Sequence, residues 1–287
     1  HVGADTAGAV LSEGPHRGDE LQLLVDVGTN AEIVFGNAHH LLAASSPTGP
    51  AFEGAQISAG MRATAGAIER VRIDRETLEP RVKVIGCDLW SDDAGFGEAT
   101  AGLDIAGICG SGIIEVMGEL FLAGLLDTDG TIRSDGPERT DRVFADGRTF
   151  SYRLFGDDAD PAGNVNVTQE DVRAIQLAKA ALRAGIDLLA EHAGVDDTDR
   201  IGSVRLAGAF GAHIDPLYAK VLGLVPDVPV DRVRSVGNAA GAGAVRALLS
   251  DAQRAEIEAQ ARRIDKIETA TEPRVQELFV AAMGFPH

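Results

Sequence analysis

The 287-residue chain carries 26 Lys and Arg against 44 Asp and Glu, a formal net charge of −18, and 45% of its residues are hydrophobic. That balance excludes a disordered tail, leaves room for one large or two small domains with a sizeable core, and argues against nucleic acid or an anionic membrane surface as the main partner. Only Cys87 and Cys109 are present, which excludes a disulfide framework and a four-cysteine zinc or iron–sulfur site built by this chain alone, and fits a reducing, cytoplasmic setting.

Residues 1–10 read like the interior of a domain. The expectation is a fragment, with His1 a tag remnant and 1–20 a linker or the end of a preceding middle domain. No apolar run reaches the length of a membrane span. Leu21–Val27, Ala31–Phe35 and His40–Ala44 read as three short strands, with turn signals at Asn30 and Gly36-Asn37. Ser45–Gly60 is a loop rich in Ser, Pro and Gly. Met61, Ala65 and Ile68 recur at helical spacing and predict a helix over Gly60–Val71; Arg81–Ile85 predicts a strand. Ile113, Met117, Leu120 and Phe121 lie on one stripe of a helix predicted over Ile113–Leu126. Residues 127–167 change to Asp, Gly and Arg and read as a surface insertion with an Asp146-Gly147 hairpin signal. Thr168 followed by Glu170 and Asp171 predicts the N-cap of a long helix, Glu170–Ala193, with Gly194 as its C-cap. Ser203–Ala207 and Val233–Val236 are predicted strands, and Pro216–Leu222 and Ala239–Leu249 predicted helices. Ile264–Glu268 is a candidate edge strand and Arg274–Met283 a closing helix. Early strands followed by alternating helices and strands predict α/β layers around a mixed sheet.

Three glycine-rich turns each follow an apolar strand, at Gly28, at Gly208–Gly211 and at Gly237–Gly243. Glycine lets backbone approach a phosphate, and N–H groups at such turns attract anions. In Asp26-x-Gly28-Thr29-Asn30 the glycine and the two polar residues suit a phosphate, and Asp26 suits magnesium, directly or through water; an ordinary hairpin turn explains the same residues. Gly110, Ser111 and Gly112 open a helix and offer a ribose or anion site, with Glu115 one turn further on. Tight packing through small residues and a first-turn acid facing the helix dipole are the alternatives. Gly208 and Gly211, with Gly237 and Asn238, could border an adenine, whereas Gly241 and Gly243 better suit two helices crossing closely. Cys109 reads as a packing residue, His213 and Asp215 as loop caps, and His39-His40 as a hairpin end. Pro47–Gly54 is a stiff loop that either shapes the site or merely connects elements.

Five blocks in order resemble the reductive activators of corrinoid proteins: Leu24–Val34, Gly49–Ala55, Gly107–Gly112, Leu206–Gly211 and Gly237–Ala244. The resemblance implies membership of the acetate/sugar kinase, heat-shock chaperone and actin superfamily, and an α/β fold with an actin-like, ribonuclease-H-like mixed sheet flanked by helices. It implies ATP and magnesium as cofactors, a corrinoid methyltransferase protein as partner, a homodimer, and reduction of cob(II)alamin to cob(I)alamin. The electron would come through an N-terminal [2Fe-2S] domain whose four cysteines this chain lacks. Asp26 then falls in the family's second phosphate motif, with magnesium at Asp26, phosphate at Gly28, Thr29 and Asn30, ribose at Gly110, Ser111, Gly112 and Glu115, and adenine beside Gly208, Gly211, Gly237 and Asn238. Two rival readings stand beside it: a small-molecule kinase of the same superfamily, and a non-catalytic dimerisation or docking module.

Overall fold

The computed structural model describes residues 3–286 except Asp158 and Asp160, so His1 lies outside the described residues. In chain order the strands are β1 (Leu21–Asp26), β2 (Ala31–Gly36), β3 (Leu41–Ser46), β4 (Ile68–Ile73), β5 (Pro80–Val84), β6 (Val143–Asp146), β7 (Thr149–Phe155), β8 (Val165–Val167), β9 (Ile201–Ala207), β10 (Val233–Gly237) and β11 (Asp265–Ile267). The helices are α1 (Ala4–Glu13), α2 (Phe96–Ala99), α3 (Gly110–Leu122), α4 (Gly136–Arg139), α5 (Gln169–His192), α6 (Gly208–Gly211), α7 (Pro216–Val221), α8 (Ala239–Leu249), α9 (Asp251–Ala261) and α10 (Arg274–Ala281). They divide into two compact units, one of residues 1–49 and 179–283, the other of residues 50–178 and 284–287.

The first unit is built on a six-stranded sheet in the order β10-β9-β1-β2-β3-β11. β1, β2 and β3 are antiparallel neighbours, β9 and β10 run parallel to β1, and β11 runs parallel to β3 at the far edge. Alternation along β1 sends Leu24 to one face and Leu23 and Val25 to the other, all buried. On the Leu24 face, Val34, Ala43 and Ala207 pack with Ala9, Val10 and Leu11 of α1, Ala239 of α8 and Ile257 of α9. α1 and α8 touch through glycine: a Cβ on Gly243 would fall on the Gly8 backbone, and one on Gly8 would sit 2.7 Å from the Ala240 carbonyl oxygen. The helix-crossing role anticipated for Gly243 is therefore present. Residues 4–13 are a packed helix.

In the second unit β4 and β5 form an antiparallel pair against which α3 packs, and β6, β7 and β8 form a separate three-stranded sheet. The Asp146-Gly147 signal is a two-residue turn, with Asp146 paired to Thr149 and Gly147 at φ +62°. The 127–167 stretch is more than surface: Tyr152 is fully buried and its hydroxyl donates to the Leu78 carbonyl at 3.0 Å. α5 starts with a reciprocal cap, the Asp171 amide donating to the Thr168 hydroxyl at 3.1 Å and the Thr168 amide to the Asp171 carboxylate at 2.8 Å. Gly194, at φ +66°, follows its end.

The helix expected over Gly60–Val71 is not formed. Gly60 presses on Gly54, where a Cβ would overlap the carbonyl, and Gly66 sits at φ +89°. From Arg70 the pattern alternates, Val71 and Ile73 buried and Arg70 and Arg72 outward, which is the two-residue period of β4. Conversely α9 forms where only a charged stretch was evident, because it buries little beyond Ile257.

Candidate functional site

Three adjacent strands of the first unit end side by side. Asp26 of β1 pairs with Ala207 of β9, and Ala207 with Gly237 of β10. Beyond those residues each strand turns sharply: β1 into the 27–30 hairpin, β9 into α6 at Gly208, and β10 into α8 through Asn238. The expected Asp26, Gly28, Thr29, Asn30, Gly208, Gly211, Gly237 and Asn238 thus share the carboxyl end of the β1-β9-β10 sheet segment, the end at which open α/β sheets receive ligands.

Asp26 is half-buried, and its carboxylate makes no hydrogen bond or ion pair among the described residues. Burial raises its pKa above the ordinary 3.8, and the neighbouring Asp5 and Glu32 raise it further. Glu32 lies opposite Asp26 in the ladder and accepts from the Ser45 hydroxyl at 2.8 Å. Asp5, Glu32 and Asp26 concentrate negative charge here, with Lys266 beside Asp5 and Glu32 as a partial counter-charge. Among the described residues no cluster of three or more His, Cys, Asp or Glu has the geometry of a protein-only metal cage. Asp26 could therefore take part in holding a cation only where other ligands come from outside the chain.

Gly208 makes room for that carboxylate. Its φ is +93°, and a Cβ there would overlap the Asp26 Oδ1 and lie 2.8 Å from the Val27 carbonyl oxygen. Gly208→Ala is expected to lower stability by about 2–4 kcal/mol through backbone strain and overpacking, and to displace Asp26. Thermal melts and a Mg-ATP titration of the variant check both. Gly28 is different: its φ is not in the left-handed region, and a Cβ would meet only the Asn30 carbonyl oxygen at 3.4 Å, an ordinary contact. The fold does not demand glycine at 28, and the space beside it is open. Gly237 is at φ +67°, and the Asn238 side chain accepts from the Gly241 amide at 2.7 Å, capping α8. The Gly211 carbonyl accepts from the Ser235 hydroxyl at 2.9 Å, tying α6 to β10.

Gly110, Ser111, Gly112 and Glu115 belong to the second unit, in the first turns of α3, and all four are buried. A Cβ on Gly112 would overlap the Ile68 carbonyl oxygen and sit 2.8 Å from the Ile108 Cγ2, so tight packing accounts for that glycine. The Ser111 hydroxyl lies 3.4 Å from the Cys109 sulfur, whose own thiol reaches the Ile68 carbonyl at 3.4 Å; Cys109 is a packing residue. Glu115, expected beside a ribose, is engaged by two arginines and an amide of its own unit. Its carboxylate accepts from Arg70 at 2.7 Å, from Arg72 at 2.5 Å and from the Val71 amide at 2.9 Å. Glu119, one turn on, accepts from the Ile73 amide and pairs with Arg75, both at 2.9 Å. Two acids four apart on α3 thus bind alternate amides of β4. The signal lay in the sequence as Arg70, Arg72 and Arg75 set against Glu115 and Glu119, but nothing local shows that strand and helix meet.

The remaining candidates are structural. The Asp215 carboxylate accepts from the Leu217 amide at 2.8 Å and caps α7. His40 pairs with Asp265 at 2.8 Å, joining β11 to the β2–β3 turn. The Arg81 guanidinium stacks over Trp90 at 4.8 Å. No helix among the described residues is long and apolar enough to cross a membrane.

A mixed sheet of three antiparallel strands extended by two parallel strands on one side and one on the other, with helices on its faces, defines an ASKHA-type domain, the class of actin, the heat-shock chaperones and the acetate and sugar kinases. The family model described as the C-terminal domain of RACo, the ASKHA domain, matches residues 20–287, and the chain belongs to that family. It is 37% identical over 285 residues to the corrinoid activation enzyme RamQ of Eubacterium limosum, an alignment covering 97% of this chain and 45% of that protein. It is 24% identical over 293 residues to the [Co(II) methylated amine-specific corrinoid protein] reductase of Methanosarcina barkeri, covering 99% of this chain and 49% of that one. A solved reductive activator for corrinoid, iron-sulfur protein superposes with a TM-score of 0.84 at 32% identity, covering 100% of this chain and 43% of that chain. The chain spans about half the length of the curated relatives it matches.

Proposed function

We propose that this chain is the nucleotide-binding part of a reductive activator of a corrinoid protein, working in an intact protein that uses ATP to drive cob(II)alamin to cob(I)alamin on its partner. The observation that carries the reading is the convergence of Asp26, the 28–30 turn, Gly208 and Asn238 at one sheet end, where the Asp26 carboxylate has no hydrogen bond or ion pair among the described residues. Asp26 would orient a hydrated magnesium ion. Gly28, Thr29 and Asn30 would hold phosphate through backbone N–H groups, with the missing Gly28 side chain admitting close approach. Gly208, Gly211, Gly237 and Asn238 would border the adenine. Magnesium-bound ATP supplies a phosphoanhydride whose cleavage is strongly downhill, and the protein's part is to couple that change to the corrinoid's environment. The electron would arrive through an N-terminal [2Fe-2S] domain of the intact protein, which we read as a cytoplasmic homodimer.

Calorimetric titration with Mg-ATP, repeated in the presence of the corrinoid protein, tests the reading. Saturable binding in either titration supports it; no heat in both overturns it.

A further inference from the structure

The stiff loop after β3 is bound to the hairpin that follows Asp26. The Thr48 side chain, 5% exposed, donates its hydroxyl to the Gly28 carbonyl at 2.7 Å, and the Thr29 carbonyl lies 3.1 Å from the same oxygen. The next residue completes the clamp: the Gly49 amide donates to the Thr29 carbonyl at 2.9 Å, from a backbone at φ +70° that favours glycine. Two consecutive carbonyls of the hairpin are therefore held toward residues 48–49.

Peptide planarity turns this into a statement about the N–H groups. In a trans peptide the C=O and the following N–H point in opposite directions within one plane. The Gly28 carbonyl shares its plane with the Thr29 N–H, and the Thr29 carbonyl with the Asn30 N–H. Holding both carbonyls against Thr48 and Gly49 aims both N–H groups the other way. Successive amides aimed to one side form an anion-binding concavity, and here the aim is set from behind by one buried hydroxyl and one glycine amide.

We propose that Thr48 is a positioning residue for phosphate: it never touches the nucleotide, but its hydroxyl fixes the direction of the Thr29 and Asn30 amides that would. This rests on the reading of residues 28–30 as a phosphate loop. Thr48→Val deletes the hydroxyl and keeps the branched shape; Thr48→Ser keeps the hydroxyl and deletes a methyl.

The test compares the intact protein with both variants, titrating Mg-ATP and, separately, adenosine, which has no phosphate. Thr48→Val is expected to weaken Mg-ATP by about 10-fold, the effect of one well-placed hydrogen bond, with adenosine affinity unchanged. Thr48→Ser is expected to bind Mg-ATP within about 3-fold of wild type. The amide NMR signals of Thr29 and Asn30 should move on nucleotide addition in wild type and Thr48→Ser, and much less in Thr48→Val. Thr48→Val binding Mg-ATP like wild type overturns the inference, as does a variant that loses adenosine and Mg-ATP together, since that is damage to the fold. A wild-type protein that binds neither ligand refutes the nucleotide reading itself, which separates the two failures.

Discussion

Replacing Asp26 by asparagine is expected to make the protein more stable and a poorer binder of Mg-ATP at the same time. Its carboxyl pKa is raised first by burial, then by Asp5 and Glu32, so keeping Asp26 ionised at neutral pH costs folding free energy. The folded state binds a proton more tightly than the unfolded state. Between the ordinary 3.8 and the raised folded value it therefore carries more protons, and this group's contribution to stability falls as pH rises through that window. Above the window the full cost is present; below it, none. Asparagine removes the charge and keeps the shape, so the melting temperature of Asp26→Asn should exceed that of wild type at pH 7, with the gap closing as pH falls below the raised pKa. Magnesium needs the ionised form. Loss of the carboxylate should weaken Mg-ATP by about 10- to 100-fold, the usual effect of removing a group that orients a bound metal through its water. Acidification of the wild type should weaken Mg-ATP from the same raised pKa downward. Calorimetric melts and Mg-ATP titrations across pH check the three results. A variant that melts lower at pH 7, with nucleotide affinity intact, would reduce Asp26 to a turn residue.

The same residue shows what was legible beforehand. Strand β1 announces itself by a short apolar run, and the turn after it by Gly28-Thr29-Asn30, because a strand end and a backbone without a side chain are local properties. Gly208 and Gly237 were visible for the same reason: each sits at positive φ where its strand gives way to a helix. Their meeting with Asp26 needs β9 and β10 to lie parallel beside β1, which is long-range pairing that only the order of the blocks implied. Thr48 stayed ambiguous because a buried hydroxyl looks like any loop residue until its acceptors are known. β4 imitates a helix because Met61, Ala65 and Ile68 form a helical stripe across Gly66, whose positive φ a helix cannot continue. The division into two units was hidden as well. One crossing falls between Ala178 and Lys179, in the middle of α5, where the helix gives no break in composition. At Glu115 a helical acid was visible, but not the arginines packed over it.

Glu115 carries the largest stability effect expected of a single carboxylate here. The ladder sets Arg70 opposite Lys83 and Arg72 opposite Arg81, so two like-charge pairs face each other across β4 and β5. Glu115 sits under Arg70 and Arg72 and also receives the buried Val71 amide. Glu115→Ala removes three charge-assisted hydrogen bonds, leaves that amide without an acceptor and exposes the cation pairs to each other. Arg70 and Arg72 keep about a third of their side chains in water, so they can turn outward, and the cost should fall below that of a fully buried broken pair. A loss of about 2–4 kcal/mol in urea unfolding is expected, with Mg-ATP affinity unchanged. Glu115→Gln should recover part of it, because its side-chain oxygen can still accept from Val71 while the charge is gone. Added salt should narrow the gap between Glu115→Ala and wild type by screening Arg70 from Lys83 and Arg72 from Arg81. If instead Glu115→Ala keeps its stability and loses nucleotide, the carboxylate faces a ribose after all and the arginines are bystanders.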